Sequence, residues 1–255
     1  MKILSLNLWG GKLYEPLIEF IHSQSGQVDI FCFQEVFSTA SGIAKSGDAR
    51  VNVFQEIESI LPEFTGYFAS QEENIDMAGR VNIPTQYGLA SFVRKSLPLT
   101  DTGDFFVYGE RNCWQPAVQG SQGRNLQYLE FNLLGKQLTI ANLHGLWTGD
   151  GKGDTESRIE QSHLTKEFLD AQEGETILCG DFNLLPDTKS LVILEKGMRN
   201  LIQENNITST RSHLYLKENK FADYMLLSEG LRVNGFKVLP DPVSDHLALL
   251  LDFTL

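Results

Sequence analysis

The chain has 255 residues, 42% hydrophobic and 21% charged, which allows a sizeable buried core and excludes a disordered or fibrous chain. Its formal charge of −12 disfavours non-specific coating of duplex nucleic acid, although bound cations can offset acids locally. Three cysteines without close pairs argue against a disulfide framework or a zinc site, and no stretch reaches the roughly 18 apolar residues that cross a bilayer.

Residues 3–8 form the first strand-like segment, and it delivers Asn7. A candidate site residue this early leaves no room for a secretion signal, so a reducing, cytoplasmic location is expected. Leu13, Leu17, Phe20 and Ile21 then fall at helix spacing. Residues 28–33, an apolar run holding Cys32, lead into Gln34 and Glu35. Residues 38–50 look loop-like. Val53, Ile57, Ile60 and Leu61 predict a second helix, and residues 71–86 a long irregular loop.

Strand-like segments follow at residues 89–93, 126–131 and 138–143, the last two joined by a turn at Gly135-Lys136. A third helix is predicted from a cap at Asp154 or Thr155 to about Glu173, with Leu164, Phe168 and Ala171 on one face. A strand at residues 176–179 carries Cys179, and a short helix at residues 188–196 is closed by Gly197. The last two strands are predicted at residues 224–227 and 247–253. Hairpins mixed with helical crossovers point to two packed sheets with helices outside. No linker or repeat divides the chain, so one domain, 1–255, is expected.

Acids, amides and histidines gather at the ends of these strands. Asp181 and Asn183 in Gly180-Asp181-Phe182-Asn183 point to one side if the strand continues, with Phe182 turned into the core. The bland alternative is an Asp-Phe-Asn turn with local hydrogen bonds. Asp245 and His246, in Ser244-Asp245-His246, offer an oxygen ligand and a proton carrier. Glu35 sits where sites form in α/β sheets, and a buried Asn7 needs a partner such as a metal-bound glutamate. Asp223 stands where it can orient a histidine. His144 ends a strand. The glycine-rich loop 145–153 after it carries Lys152 and enters the helix of Arg158, so Lys152 and Arg158 are candidate phosphate contacts. Their bland reading is solvated charge. His22, His163 and His213 lack such context. The oxygen-rich donor set points to Mg²⁺ or Mn²⁺.

These motifs together resemble the endonuclease/exonuclease/phosphatase superfamily, whose members include type I deoxyribonuclease. The resemblance runs from Asn7 to the Ser244-Asp245-His246 triplet. It implies a deoxyribonuclease I-like four-layer α/β sandwich of two mixed sheets flanked by helices, with the site at one end. It also implies roles: Glu35 as main metal ligand helped by Asn7 and Asp245, Asp181 activating water, Asn183 holding that water or a phosphate oxygen. His246, paired with Asp223, would stabilise phosphate charge, and His144 would be a second phosphate contact. The abasic-site branch carries an acid where this chain has Trp9 and a tyrosine where it has Asn142.

A Mg²⁺-dependent phosphodiesterase with a nuclease-like substrate is therefore expected, with a phosphate ester, including nucleic acid, as partner and no membrane insertion. The alternatives are a phosphatase or phospholipase acting on a small or lipid phosphate, and a non-catalytic binding module on the same fold.

Overall fold

The computed structural model describes residues 1–255. In chain order the elements are β1 (Lys2–Asn7), α1 (Tyr14–Gln24), β2 (Ile30–Ser38), α2 (Val53–Ile60), β3 (Phe64–Glu73), β4 (Gln86–Arg94) and β5 (Leu99–Tyr108). There follow β6 (Arg124–Leu133), β7 (Lys136–His144), α3 (Glu156–Asp170), β8 (Glu175–Asp181), α4 (Lys189–Glu195), β9 (Met198–Asn200), α5 (Leu201–Glu204), β10 (Asp223–Ser228), β11 (Arg232–Val238) and β12 (Leu249–Thr254).

The strands make two six-stranded mixed sheets, ordered β11-β12-β1-β2-β4-β3 and β5-β6-β7-β8-β10-β9. Helices flank both, giving the deoxyribonuclease I-like sandwich. Each sheet has one parallel pair, β1 with β2 and β7 with β8, so four strand ends point the same way. β10 runs antiparallel to β8 and therefore starts at that end, with Asp223 opposite Asp181.

Alternation on β1 and β2 explains the layers. Leu4, Leu6, Phe31 and Phe33 pack with Leu17, Phe20 and Ile21 of α1 and Phe54 and Ile57 of α2. Ile3, Ile30 and Cys32 face the other sheet and pack with Ile140, Ile177 and Cys179. Towards the site end this interior turns polar. The Gln34 amide donates to Asn142 Oδ1 at 2.7 Å, and Asn142 donates to the Phe33 carbonyl at 3.1 Å. Ser91 donates to Gln127 at 2.8 Å. Buried amides with partners fix how the two sheets face each other, since sliding would strand several of them.

The third helix ends at Asp170, short of Glu173, and Leu164 is 40% exposed on its outer side while Leu169 is buried. Thr155 is the cap, accepting from the Arg158 amide at 3.2 Å. Asp154 instead accepts from the Lys189 and Ser190 amides at the start of α4. Four strands escaped the sequence reading: β3, β5, β9 and β11. β5 and β11 are largely half-exposed and polar, and β9 has three residues, so the apolar alternation that marks a strand is weak in them. No helix is long and apolar enough to cross a membrane.

Candidate active site

The shared strand ends bring together Asn7, Glu35, His144, Asp181, Asn183, Asp223, Asp245 and His246. Glu35 reaches the cluster through a defect. Along β2, residues 30, 32 and 34 face the second sheet, so simple alternation would send Glu35 towards the helices. The pairing of β2 with β4 shifts between Phe33 and Val36, and Glu35 adopts φ 55°. A left-handed glutamate at a bulge costs on the order of 1 kcal/mol or more and re-aims its carboxylate at the cleft.

Gly180 supplies a second close approach. Its φ is 134°, and a Cβ there would lie 2.0 Å from the Leu143 carbonyl. Beyond it, Asp181 ends β8 and Asn183 takes φ 53°, with its amide N–H donating to Asp181 Oδ1 at 2.9 Å. The local turn and the functional pair are thus one structure: the turn holds both side chains at the cleft. The Asn183 side-chain amide donates to the Gly145 carbonyl at 3.2 Å, and Phe182 is buried, stacked on Tyr224.

Asp181 is the centre. Its Oδ2 accepts from Asn7 Nδ2 at 3.1 Å and lies 3.4 Å from His246 Nε2, 3.8 Å from His144 Nε2 and 4.0 Å from Arg211 Nη2. Burial alone would raise this carboxyl, but His246, Arg211, His144 and Lys152 outweigh it and hold Asp181 well below the usual range. His246 Nδ1 lies 2.8 and 3.0 Å from the two Asp223 oxygens. A carboxylate accepts there, so Nδ1 carries a proton and Nε2 faces the cleft. Burial would lower His246, yet Asp223 and Asp181 raise it. His144 is opposite: burial, then Arg124, push it well down, leaving a neutral ring.

Asn7 also donates to Glu35 Oε1 at 3.0 Å, while its own oxygen accepts the Trp9 N–H at 2.9 Å. It therefore clamps two carboxylates with its nitrogen. Burial raises the Glu35 carboxyl despite that bond. Glu35 Oε2 and Asp245 Oδ1 are buried with no donor. Two orphaned carboxylate oxygens beside a third acid are the donor set that a hard divalent cation fits. Glu35, His144 and Asp181 present ligand atoms within 4.8 Å of one another.

Two cationic residues went unforeseen. Arg211 donates to Asp245 Oδ2 at 2.9 Å and lies over the Tyr215 ring. Arg124 is 3% exposed, lines the cleft and leaves its Nε without a partner. Neither lies in a motif, and an arginine in a chain with 21 basic residues carries no signal by itself.

Lys152 reaches the cleft wall, donating to the Phe221 carbonyl at 2.8 Å, and burial pushes it down to about 8. Arg158 does not reach it. Its guanidinium donates to the carbonyls of Leu146, Gly151 and Gly153 at 3.1, 2.8 and 2.6 Å. The expectation of a phosphate contact is corrected: the fork is spent bracing the loop that carries Lys152. Arg158→Ala is expected to lower folding stability by about 2 kcal/mol, because the buried Leu146 carbonyl loses its charged donor and the loop carbonyls of Gly151 and Gly153 lose theirs. Urea unfolding checks this; a midpoint equal to wild type would remove the bracing role. His22, His163 and His213 are exposed and are not among the residues lining the cleft.

The cleft has a volume of ≈ 500 Å³. The model of the Endonuclease/Exonuclease/phosphatase family matches residues 4–246. A search of curated proteins finds no sequence match. Among solved structures, a mannosyl-6-phosphatase of Bacteroides thetaiotaomicron VPI-5482 is similar at TM-score 0.71 and 18% identity, over 100% of both chains. The human Nocturnin catalytic domain with bound sulfate is similar at TM-score 0.67 and 19% identity, covering 100% of this chain and 93% of that one. Humanized D. rerio TDP2 is similar at TM-score 0.66 and 15% identity, covering 100% of this chain and 99% of that one. At these identities the structural likeness carries the fold alone.

Proposed function

Because the chain belongs to the endonuclease/exonuclease/phosphatase family, a family of phosphoester hydrolases, we propose that it hydrolyses phosphate esters with Mg²⁺ at the Asp181 cluster. One observation carries this reading: a buried, ionised Asp181 faced by Asn7 and two imidazoles, beside two carboxylates with orphaned oxygens.

In this reading Glu35 and Asp245 would hold the cation, with Asn7 supporting Glu35. A bound Mg²⁺ would supply Lewis-acid polarisation of a phosphate oxygen. The chain's own groups do the rest. Asp181, kept ionised by its cationic neighbours, accepts the proton of the attacking water. Asn183 holds that water or a non-bridging oxygen. His246, fixed in orientation by Asp223, donates from Nε2 to the phosphate as negative charge grows. Neutral His144 is a second donor on that side, and Lys152 adds positive charge at the wall. The full acid and imidazole set favours an enzyme over a binding module.

A small phosphate ester fits the cleft better than the nuclease-like substrate expected from the motifs. A space of ≈ 500 Å³ is of small-molecule size, and a net charge of −12 opposes the approach of a polyanion. The nuclease-like phosphodiesterase is the second reading, supported by the Arg124, Arg211 and Lys152 cations at the cleft.

A substrate panel tests both. Small phosphate monoesters and diesters, single-stranded DNA and RNA are each assayed with Mg²⁺, with Mn²⁺ and with EDTA. Turnover of a small ester that EDTA abolishes is the expected result. Preference for a polynucleotide, with activity falling steeply as salt rises, would select the second reading. Undiminished turnover in EDTA would sink the metal-dependent reading.

A further inference from the structure

Two groups of side chains in the cleft have ligand atoms close enough together to hold a metal ion. One is Glu35, His144 and Asp181, and the other is Asp181, Asp223 and His246. They share Asp181 and differ in what already sits on them. In the first, Glu35 Oε2 is buried with no donor, and the nearby Asp245 leaves Oδ1 equally without one. Anionic oxygens lacking donors are what a hard cation satisfies.

The second group is already occupied. Asp223 Oδ1 lies 2.8 Å from His246 Nδ1, and its Oδ2 accepts the Thr210 hydroxyl at 2.8 Å. Asp181 Oδ2 faces His246 Nε2 at 3.4 Å and Arg211 Nη2 at 4.0 Å. The same guanidinium donates from Nη1 to Asp245 Oδ2 at 2.9 Å. Arg211 therefore bridges Asp181 and Asp245, and a side-chain cation stands where these two acids converge.

Arg211 is not a surface side chain that an arriving ion would push aside. It is 7% exposed, and its guanidinium lies 4.2 Å from the centre of the Tyr215 ring. The backbone on both sides of it is strapped to the last motif. Leu247 donates to the Thr210 carbonyl at 2.9 Å, and Ser212 donates to the Asp245 carbonyl at 3.0 Å. The Ser212 hydroxyl donates to the Ser244 carbonyl at 2.7 Å. Burial opposes the charge on Arg211, but Asp181, Asp223 and Asp245 outweigh burial and raise the group further. Lys152 Nζ lies 5.4 Å from the centre of the same Tyr215 ring and adds positive charge on that side. A divalent ion placed there would meet fixed like charges at short range.

We propose that Arg211 takes the place of a second divalent ion. The site then binds one Mg²⁺, against Glu35 and Asp245, and the guanidinium supplies the other positive charge beside Asp181. This rests on the metal-dependent hydrolase reading and adds to it the number of ions and the residue that sets that number.

Ion counting tests it without turnover. Metal-free protein is titrated with Mn²⁺, the free ion being read from its electron paramagnetic resonance signal, and in parallel with Mg²⁺ by calorimetry. Wild type is expected to bind one ion per chain. Arg211→Ala frees the facing carboxylates of Asp181 and Asp245 and should raise the count to two. Arg211→Gln removes the charge but keeps a donor for Asp245, so it carries the test if Arg211→Ala fails to unfold cooperatively, and it too should bind two. Two ions on the wild type, or one ion on a folded neutral variant, overturn the proposal and leave the hydrolase reading standing. No ion on the wild type overturns both, and turnover that survives EDTA in the substrate panel would then accompany it.

Discussion

Asp181→Asn and His246→Ala are each expected to lower kcat by at least about a hundredfold, the loss typical of a removed proton acceptor or charge-stabilising donor. Asn at 181 keeps the side chain's size and an oxygen to accept the Asn183 amide, so the turn after β8 persists. What disappears is the negative charge that His246 and Arg211 chiefly sustain, and with it the ability to take a proton. His246→Ala leaves Asp223 with the Thr210 hydroxyl, 2.8 Å away, as a remaining donor. The fold should therefore survive both changes, as cooperative thermal unfolding would show. Steady-state rates on the best ester of the substrate panel check the prediction. Near wild-type kcat in either folded variant removes that residue from the chemistry.

Glu35→Gln is expected to raise the Mg²⁺ concentration for half-maximal activity by at least about tenfold. The motivation is local. Glu35 Oε1 has the Asn7 amide, but Oε2 is buried with no donor. Burial already raises this carboxyl, so its ionised form costs the folded state energy unless a cation compensates. The neutral amide removes both that cost and the attraction for the ion. Thermal stability in EDTA should accordingly be no lower than wild type, while the metal midpoint moves. An unchanged Mg²⁺ midpoint would mean that Glu35 is not a ligand. A collapse of stability in EDTA would instead make the carboxylate structural, which the φ of 55° at this position makes worth measuring.

The residues legible in the sequence were those whose signal is local. The strand carrying Ile3 to Asn7, the run before Glu35 and the apolar strand before Asp181 each show apolar side chains at strand spacing, and each ends in a polar residue that a strand interior would not hold. The start of the third helix was legible as Asp154 or Thr155 because a cap is a contact within one turn, and the structure makes Thr155 that cap. β5 and β11 were not legible, because half-exposed strands owe their pairing to neighbours far along the chain and not to their own pattern.

The site divides in the same way. Its members were found in the sequence by residue type and position at a strand end, but their relations are tertiary. Glu35 faces Asn7 because a bulge reverses its side, and alternation alone would have turned it away. Arg158 was read from its place at a helix start, where a free cation would meet an anion. Only the folded loop shows three carbonyls curled around its guanidinium. Arg124, Arg211 and the three tryptophans belong to no motif, and they share one cleft because two sheets pack face to face and bring distant loops to one end. The sequence by itself determined the strands' periodicity, the helix caps and the chemical kinds of groups available, since these depend on neighbours a few residues apart. The tertiary structure decided which of those groups meet, which are charged and what lines the space beside them, because distance and burial are set by contacts between residues far apart in the chain, 174 positions in the case of Asn7 and Asp181.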